Sequence, residues 1–211
     1  MITDRATAKR SLDAALSEEV DTPAAEYGFR RRSNTLAYRR SVKNGHQRLV
    51  FDFDLHPRYA RDGILMLPYG EVTFPEVMEL TVKLDPPRYV SRDFTLRFDL
   101  REFAVGSRRE LLVRGDEDSV GVAGWVGSLL NGKLGILFEE LNSPSSFIAW
   151  AHGDRGGVGI DNHGWVAVAA AHLWLDDPAG ALATLATRID PDDPNNKRYL
   201  KAFELVRSAN G

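Results

Sequence analysis

Asp52, Asp54 and His56 stand two residues apart in a stretch where Leu49, Phe51, Phe53 and Leu55 fill the alternate positions. In an extended strand that alternation sets both carboxylates and the imidazole in a row on one face, about 7 Å apart. Carboxylates and imidazole are donor types for a divalent metal, and a carboxylate beside a histidine can orient it as a general base. One candidate activity is therefore a small metal-dependent hydrolase using Asp52, Asp54 and His56. The same residues also read as the solvent face of an amphipathic strand, with Asp52 and Asp54 paired across strands to Arg97 or Arg101. A metal site needs ligands converging from other elements, and the sequence names none, so no metal is assigned.

A second set, His152-Gly153-Asp154 and Asp161-Asn162-His163, flanks a glycine-rich loop and could form a ligand set if the loop folded back. Asp161 reads equally as a helix cap, and His152 as a helix C-terminal residue favoured by the dipole. His172, between Ala171 and Leu173, reads as a packed histidine with one nitrogen satisfied. The chain has no cysteine, which excludes disulfides, thiolate nucleophiles and cysteine-bound zinc. It has no Gly-x-Ser-x-Gly elbow, no zinc-protease helix motif and no complete Gly-x-Gly-x-x-Gly phosphate loop. No cofactor and no catalytic residue are assigned.

Charge supplies the other candidate. From Gly28 to Arg48 there are six arginines and one lysine, with no acidic residue, while the net charge of the whole chain is -3. Phe29 and Tyr38 lie among these cations, so Arg30, Arg31, Arg32, Arg39 and Arg40 are candidate binding residues for an acidic partner. A phosphate backbone would be met by the same charge and stacking. A committed nucleic-acid binder is usually basic overall, and this chain has a pI near 6.0. A protein partner is therefore expected ahead of a nucleic-acid-associated role. The chain's own acidic residues, Asp176, Asp177, Asp190, Asp192 and Asp193, are an internal alternative. So is a solvated edge strand kept from aggregating by its arginines.

Positioning these residues are elements of two periods. Ala8, Leu12, Ala15, Leu16 and Val20 predict an N-terminal helix over 4–20, and Asp21-Thr22-Pro23 restarts a short one ending near Gly28. After Gly28 the period becomes two: strands are expected at 49–55 and 94–100, with further ones at 64–67, at Met78-Leu80-Val82-Leu84 and at 111–113. From Val120 the pattern is helical. One helix, broken near Gly132, is followed by helices opening at Ser143-Pro144, at Asp161, at Asp177-Pro178 and at Asp193-Pro194. The pair 165–175 and 179–189 is similar to one helix pair of a tetratricopeptide repeat. A stacked array needs about three such units, so a single packed hairpin is expected.

The Arg window also resembles a family of small bacterial domains of unknown function whose opening motif is Gly-Phe-basic-basic-x-x-x-Thr, then an aromatic and two basic residues. The matching residues are Gly28-Phe29-Arg30-Arg31, Thr35 and Tyr38-Arg39-Arg40, with Ser33 where the family usually has glycine. The resemblance implies an α+β fold with no known enzymatic activity, and some such domains look like immunity proteins of bacterial toxin systems. It hands over no catalytic residue.

The expectation is a single α+β domain over 1–211. It has an N-terminal helix, an antiparallel sheet of about five to six strands within 1–115, and a C-terminal helical bundle within 116–211 packed on one sheet face. The polar N-terminus lacks a signal-peptide pattern, and the apolar run at 165–175 is about half a membrane span. A cytoplasmic, non-enzymatic protein-binding module is the expected function.

Overall fold

Asp21–Glu26 shows how the chain is steered into its sheet. This short helix ends on a Schellman turn, with Gly28 N–H donating to the Ala25 carbonyl at 2.9 Å and Phe29 N–H to the Ala24 carbonyl at 3.0 Å. Gly28 occupies the left-handed region at φ +76°, which a residue without Cβ adopts freely. The chain leaves the turn extended and enters the first strand at Arg30.

The computed structural model describes residues 5–32, 35–54, 63–86, 93–104, 111–154, 158–190, 192 and 196–209. In chain order the elements are α1 (Arg5–Glu19), α2 (Asp21–Glu26), β1 (Arg30–Arg31), β2 (Ala37–Val42), β3 (Gly45–Asp54), β4 (Ile64–Thr73) and α3 (Pro75–Leu84). There follow β5 (Leu96–Asp99), β6 (Leu112–Val113), α4 (Asp116–Leu129), α5 (Gly135–Glu140), α6 (Pro144–His152), α7 (Asn162–Trp174), α8 (Pro178–Ala186) and α9 (Asn196–Ala209). The chain is thus α+β, with an N-terminal helix, an antiparallel sheet that has six strands among the described residues, and C-terminal helices. Strand order is β1-β2-β3-β4-β5, and β6 also pairs with β4, with Ile64 opposite Val113 and Leu65 opposite Leu112. Pro68 interrupts β4 between Met66, which donates to Leu111, and Val72, which accepts from Thr95.

The chain divides into two compact units. The first comprises Met1–Ser41, Gln47–Glu71 and Phe98–Glu139; the second comprises Val42–His46, Val72–Arg97 and Glu140–Gly211. In the first unit α1 buries Ala8, Leu12, Ala15 and Leu16 as one stripe, and Phe29, Phe138 and Phe98 form a buried aromatic cluster, with the half-buried Phe103 against Phe98. α4 packs on α1 so closely that a Cβ at Gly127 would lie 2.4 Å from the Glu19 carbonyl oxygen. The stretch Asp116–Glu140 is long and apolar enough by composition to span a bilayer. Here it is a core element, broken at Gly132, whose φ and ψ of -136° and -121° leave the helical region. The expected break at that glycine is present.

In the second unit α7 is the central helix. His163 to Ala171 are all buried, and α3, α6 and α8 pack around it. The Ser143 capping box opens α6, and the side chains of Asp161 and Asp177 cap α7 and α8, as the Asp/Ser pattern predicts. The expected cap at Asp193-Pro194 lies outside the described residues.

One expected strand is corrected. Met78, Leu80, Val82 and Leu84 alternate, yet they belong to α3. Pro75 occupies the first helical turn, and Val77, Thr81 and Leu84 are buried at helical spacing while Val82 is 37% exposed. A strand would have buried Val82 with Leu80 and Leu84; the proline and the i, i+4, i+7 contacts decide for the helix.

Candidate binding face

β1 begins one residue beyond Phe29, and its register on β2 sets Arg30 opposite Arg39 and Arg31 opposite Tyr38. Strand alternation divides the arginines between two faces. Arg31 and Arg40 go inward with Tyr38, whereas Arg30, Arg32 and Arg39 are exposed.

The inward arginines hold the first unit together. Arg31 Nη1 donates to the carboxylate and the carbonyl of Asp13, both at 3.0 Å. Its Nη2 donates to Ser17 at 2.6 Å and to Asp21 at 3.1 Å. The Tyr38 hydroxyl donates to the other Asp21 oxygen at 2.6 Å. Burial first, and then the Asp21 carboxylate, push the Tyr38 phenol far above its ordinary value, so it stays a neutral donor. These bonds tie α1 and α2 to β1 and β2.

Arg40 is a core arginine, 9% exposed. Its Nε donates to Gln47 at 2.6 Å and its Nη1 to the Tyr27 carbonyl at 2.7 Å and to Glu139. Gln47 in turn donates to the Phe138 carbonyl at 2.8 Å. The guanidinium lies 5.0 Å from the Phe29 ring centre and 6.0 Å from that of Phe138, so the delocalised cation also packs on aromatic faces. Of the five arginines singled out from the sequence, Arg31 and Arg40 are engaged within the chain.

Arg30, Arg32 and Arg39 differ. Among the described residues none of them has a carboxylate partner. Arg30 and Arg39 face each other directly across the β1–β2 pair, an arrangement of like charges that costs stability. Beside them an open groove of about 580 Å³ is lined by Phe29, Tyr38, Asp13, Asp21 and Arg30 to Arg32. On β3, Arg40's partner Gln47 faces inward, so Arg48 and then Asp52 and Asp54 face the other way. Arg48 pairs at 3.0 Å with Glu71, whose side chain is 2% exposed.

The hydrolase candidates are not assembled into a site. Asp52 and Asp54 are exposed at the end of β3, Asp52 accepts the Phe53 N–H at 2.8 Å, and His56 lies outside the described residues. Arg101, expected opposite these carboxylates, forks instead onto Asp99, and Arg97 lies 4.2 Å from the Phe94 ring centre. Among the described residues no group of three or more His, Asp or Glu side chains can hold a metal ion.

The two histidines flanking the glycine-rich loop take separate roles. His163 is buried and meets Asp85 at 3.3 Å, where Arg198 also binds at 3.1 Å. His152 instead approaches Trp165 and His172, with ring centres 5.8 and 6.1 Å away, and its Nε2 meets the Thr184 hydroxyl at 3.3 Å. Burial first, then the charges of His172 and Arg188, push the His152 imidazole below its ordinary value. His172 Nδ1 binds Asp177 at 2.8 Å. The Gly180 N–H and then His172 hold the Asp177 carboxyl below its ordinary range. Sequence reading assigned Asp177 a capping role and missed this second one. The available signal was a histidine in the last turn of one helix, five residues before the cap of the next. Thr184 contacts His152 rather than His172, so these groups do not form a hydroxyl–histidine–carboxylate relay. No family model, no curated protein and no solved structure matches the chain.

Proposed function

We propose that the protein is a non-enzymatic binding module that docks an acidic protein partner on the outward face of β1 and β2. A bacterial toxin neutralised in the manner of an immunity protein is the partner that the opening motif suggests. The observation that carries this reading is the Arg30–Arg39 pair. Two cations held opposite one another, with Arg32 exposed beside them and none of the three in an ion pair among the described residues, weaken the free protein and suit a negatively charged surface. The remaining charge of the molecule is acidic, so the patch also orients a partner during approach.

The test is binding of the product of the neighbouring reading frame to the full chain at several ionic strengths. Replacing Arg30, Arg32 and Arg39 together by glutamate is expected to lower affinity at least about tenfold without altering the fold seen by circular dichroism. Unchanged affinity in that variant overturns the reading. A second arm offers single-stranded nucleic acid at low salt: binding that the same variant abolishes, in the absence of any protein partner, moves the assignment to a nucleic-acid-associated factor.

A further inference from the structure

Among the described residues β1 ends the sheet, with β2 on one side of it and no strand on the other. Arg32 N–H donates to the Ala37 carbonyl at 3.2 Å, which makes these two a hydrogen-bonded pair and, two residues back, Arg30 and Arg39 another. Arg31, opposite Tyr38 between those pairs, therefore turns its N–H and carbonyl away from β2. Phe29 lies one alternation earlier, and its N–H on that same side donates to the Ala24 carbonyl of α2 at 3.0 Å. Helix α2 thus closes the edge at Phe29, whereas no backbone group among the described residues closes it at Arg31.

The groove of about 580 Å³ runs along this open edge. It is lined by the consecutive residues Arg30, Arg31 and Arg32, and across from them by Asp21 and Ala25 of α2. A cavity over one face of a strand touches every second side chain; one that touches three in succession lies beside the backbone. Its volume falls within the roughly 300–1,000 Å³ of ligand-holding sites. Space next to the unpaired backbone groups of an edge strand is what an added strand occupies.

The two walls differ in charge. On the outer face Arg30 and Arg32 are exposed and in no ion pair among the described residues. On the inner face the single Arg31 guanidinium serves both Asp13 and Asp21, at 3.0 and 3.1 Å, so carboxylates outnumber cations there. A strand laid beside β1 sends alternate side chains to the two walls. Carboxylates two residues apart then meet Arg30 and Arg32, while the residue between them faces Asp13 and Asp21 and has to be uncharged. A second copy of this chain lacks that pattern, because pairing β1 with β1 about Arg31 sets Arg30 against the other copy's Arg32.

We propose that the open edge of β1 takes up an extended segment of the protein partner as an added strand, anchored on the Arg31 backbone. Arg30 and Arg32 select an acidic, uncharged, acidic order of side chains in that segment. This rests on the docking of an acidic protein at β1 and β2, and adds to it the backbone that holds the partner and the spacing of its carboxylates.

Two peptides of one composition, blocked at both ends, are titrated into the full chain at low salt: Thr-Thr-Glu-Thr-Glu-Thr-Glu-Thr-Thr and Thr-Thr-Thr-Glu-Glu-Glu-Thr-Thr-Thr. Hydrogen exchange of the Arg31 amide is followed by NMR. The alternating peptide is expected to bind saturably and to slow that exchange at least about tenfold, and the contiguous one to bind about threefold or more weakly. Replacing Arg30 and Arg32 together by glutamate should lower the affinity about tenfold or more, and the double glutamine variant gives a loss of the same sign should the glutamate one fail to fold. The proposal is overturned if neither peptide binds up to about 10 mM, if both bind equally, or if the Arg31 amide exchanges unchanged at saturation. In that last case a loss of binding in the arginine variants leaves docking through side chains standing and removes only the added strand; binding unaffected by those variants removes both. Protection of the Arg31 amide that grows with protein concentration in the absence of peptide assigns the edge to a second copy and equally overturns the proposal.

Discussion

Arg40 and Arg39 are neighbours in one strand, and a single step of the pleat separates a core cation from a surface one. Removing the Arg40 side chain leaves Gln47 Oε1 and the Tyr27 carbonyl without their donor. Arg40→Ala is therefore expected to cost about 3 kcal/mol in urea unfolding. Glu139→Gln should cost well under about 1 kcal/mol, because that carboxylate is 55% exposed. Equal losses in the two variants would show that the Glu139 pair, and not the buried bonds, carries the stability. His152 gives a pH dependence whose sign is fixed. Its folded-state pKa lies below the ordinary 6.5, so the native state binds fewer protons than the unfolded chain around that pH. The stability it contributes is present above pH 6.5 and is lost as pH falls below it. Unfolding midpoints should decline on acidification through this range in the native chain, and decline less in His152→Gln. Asp177 adds a separate loss below its ordinary 3.8, when its carboxylate is protonated and releases Gly180 and His172.

At the scale of elements, the like-charged β1–β2 pair makes a prediction that separates stability from binding. Arg39→Glu places a carboxylate opposite Arg30 and should raise stability by about 0.5 kcal/mol while weakening the acidic partner. A variant that gains stability and keeps full affinity would mean that the arginines only guard an edge strand. Helix α4 offers a matched pair of glycines. At Gly121 a Cβ would meet nothing within 4 Å, so Gly121→Ala should stabilise by up to about 1 kcal/mol through helix propensity alone. Gly127→Ala gains the same propensity but drives its methyl group to 2.4 Å from the Glu19 carbonyl, and a net loss of about 1–3 kcal/mol is expected. Thermal melts of the two variants, moving in opposite directions, test how tightly α4 approaches α1.

For the molecule as a whole, a net charge of -3 with seven cations between Gly28 and Arg48 means that charge is sorted rather than mixed. Association with an acidic partner should therefore slow by about tenfold or more between low and physiological salt, chiefly in the on-rate. Much of this organisation is written locally. The stripe of α1, the Schellman glycine at 28, the Asp and Ser caps of α6 to α8 and the break at Gly132 are legible because each is set by residues within a few positions of one another. The alternation of β3 is legible for the same reason. Alternation failed at Met78 to Leu84, where Pro75 and tertiary burial outweighed a chance period of two. What sequence could not supply was partner choice over long separations. Arg31 finding Asp13 and Asp21, Arg40 finding Glu139 across 99 residues, and His152 meeting His172 rather than His163 depend on which surfaces packing brings together. Sequence by itself determined that an arginine-rich strand follows a glycine turn. Only the tertiary structure decided which of those arginines are buried bonds and which remain charges facing solvent, because burial and pairing are properties of the assembled core.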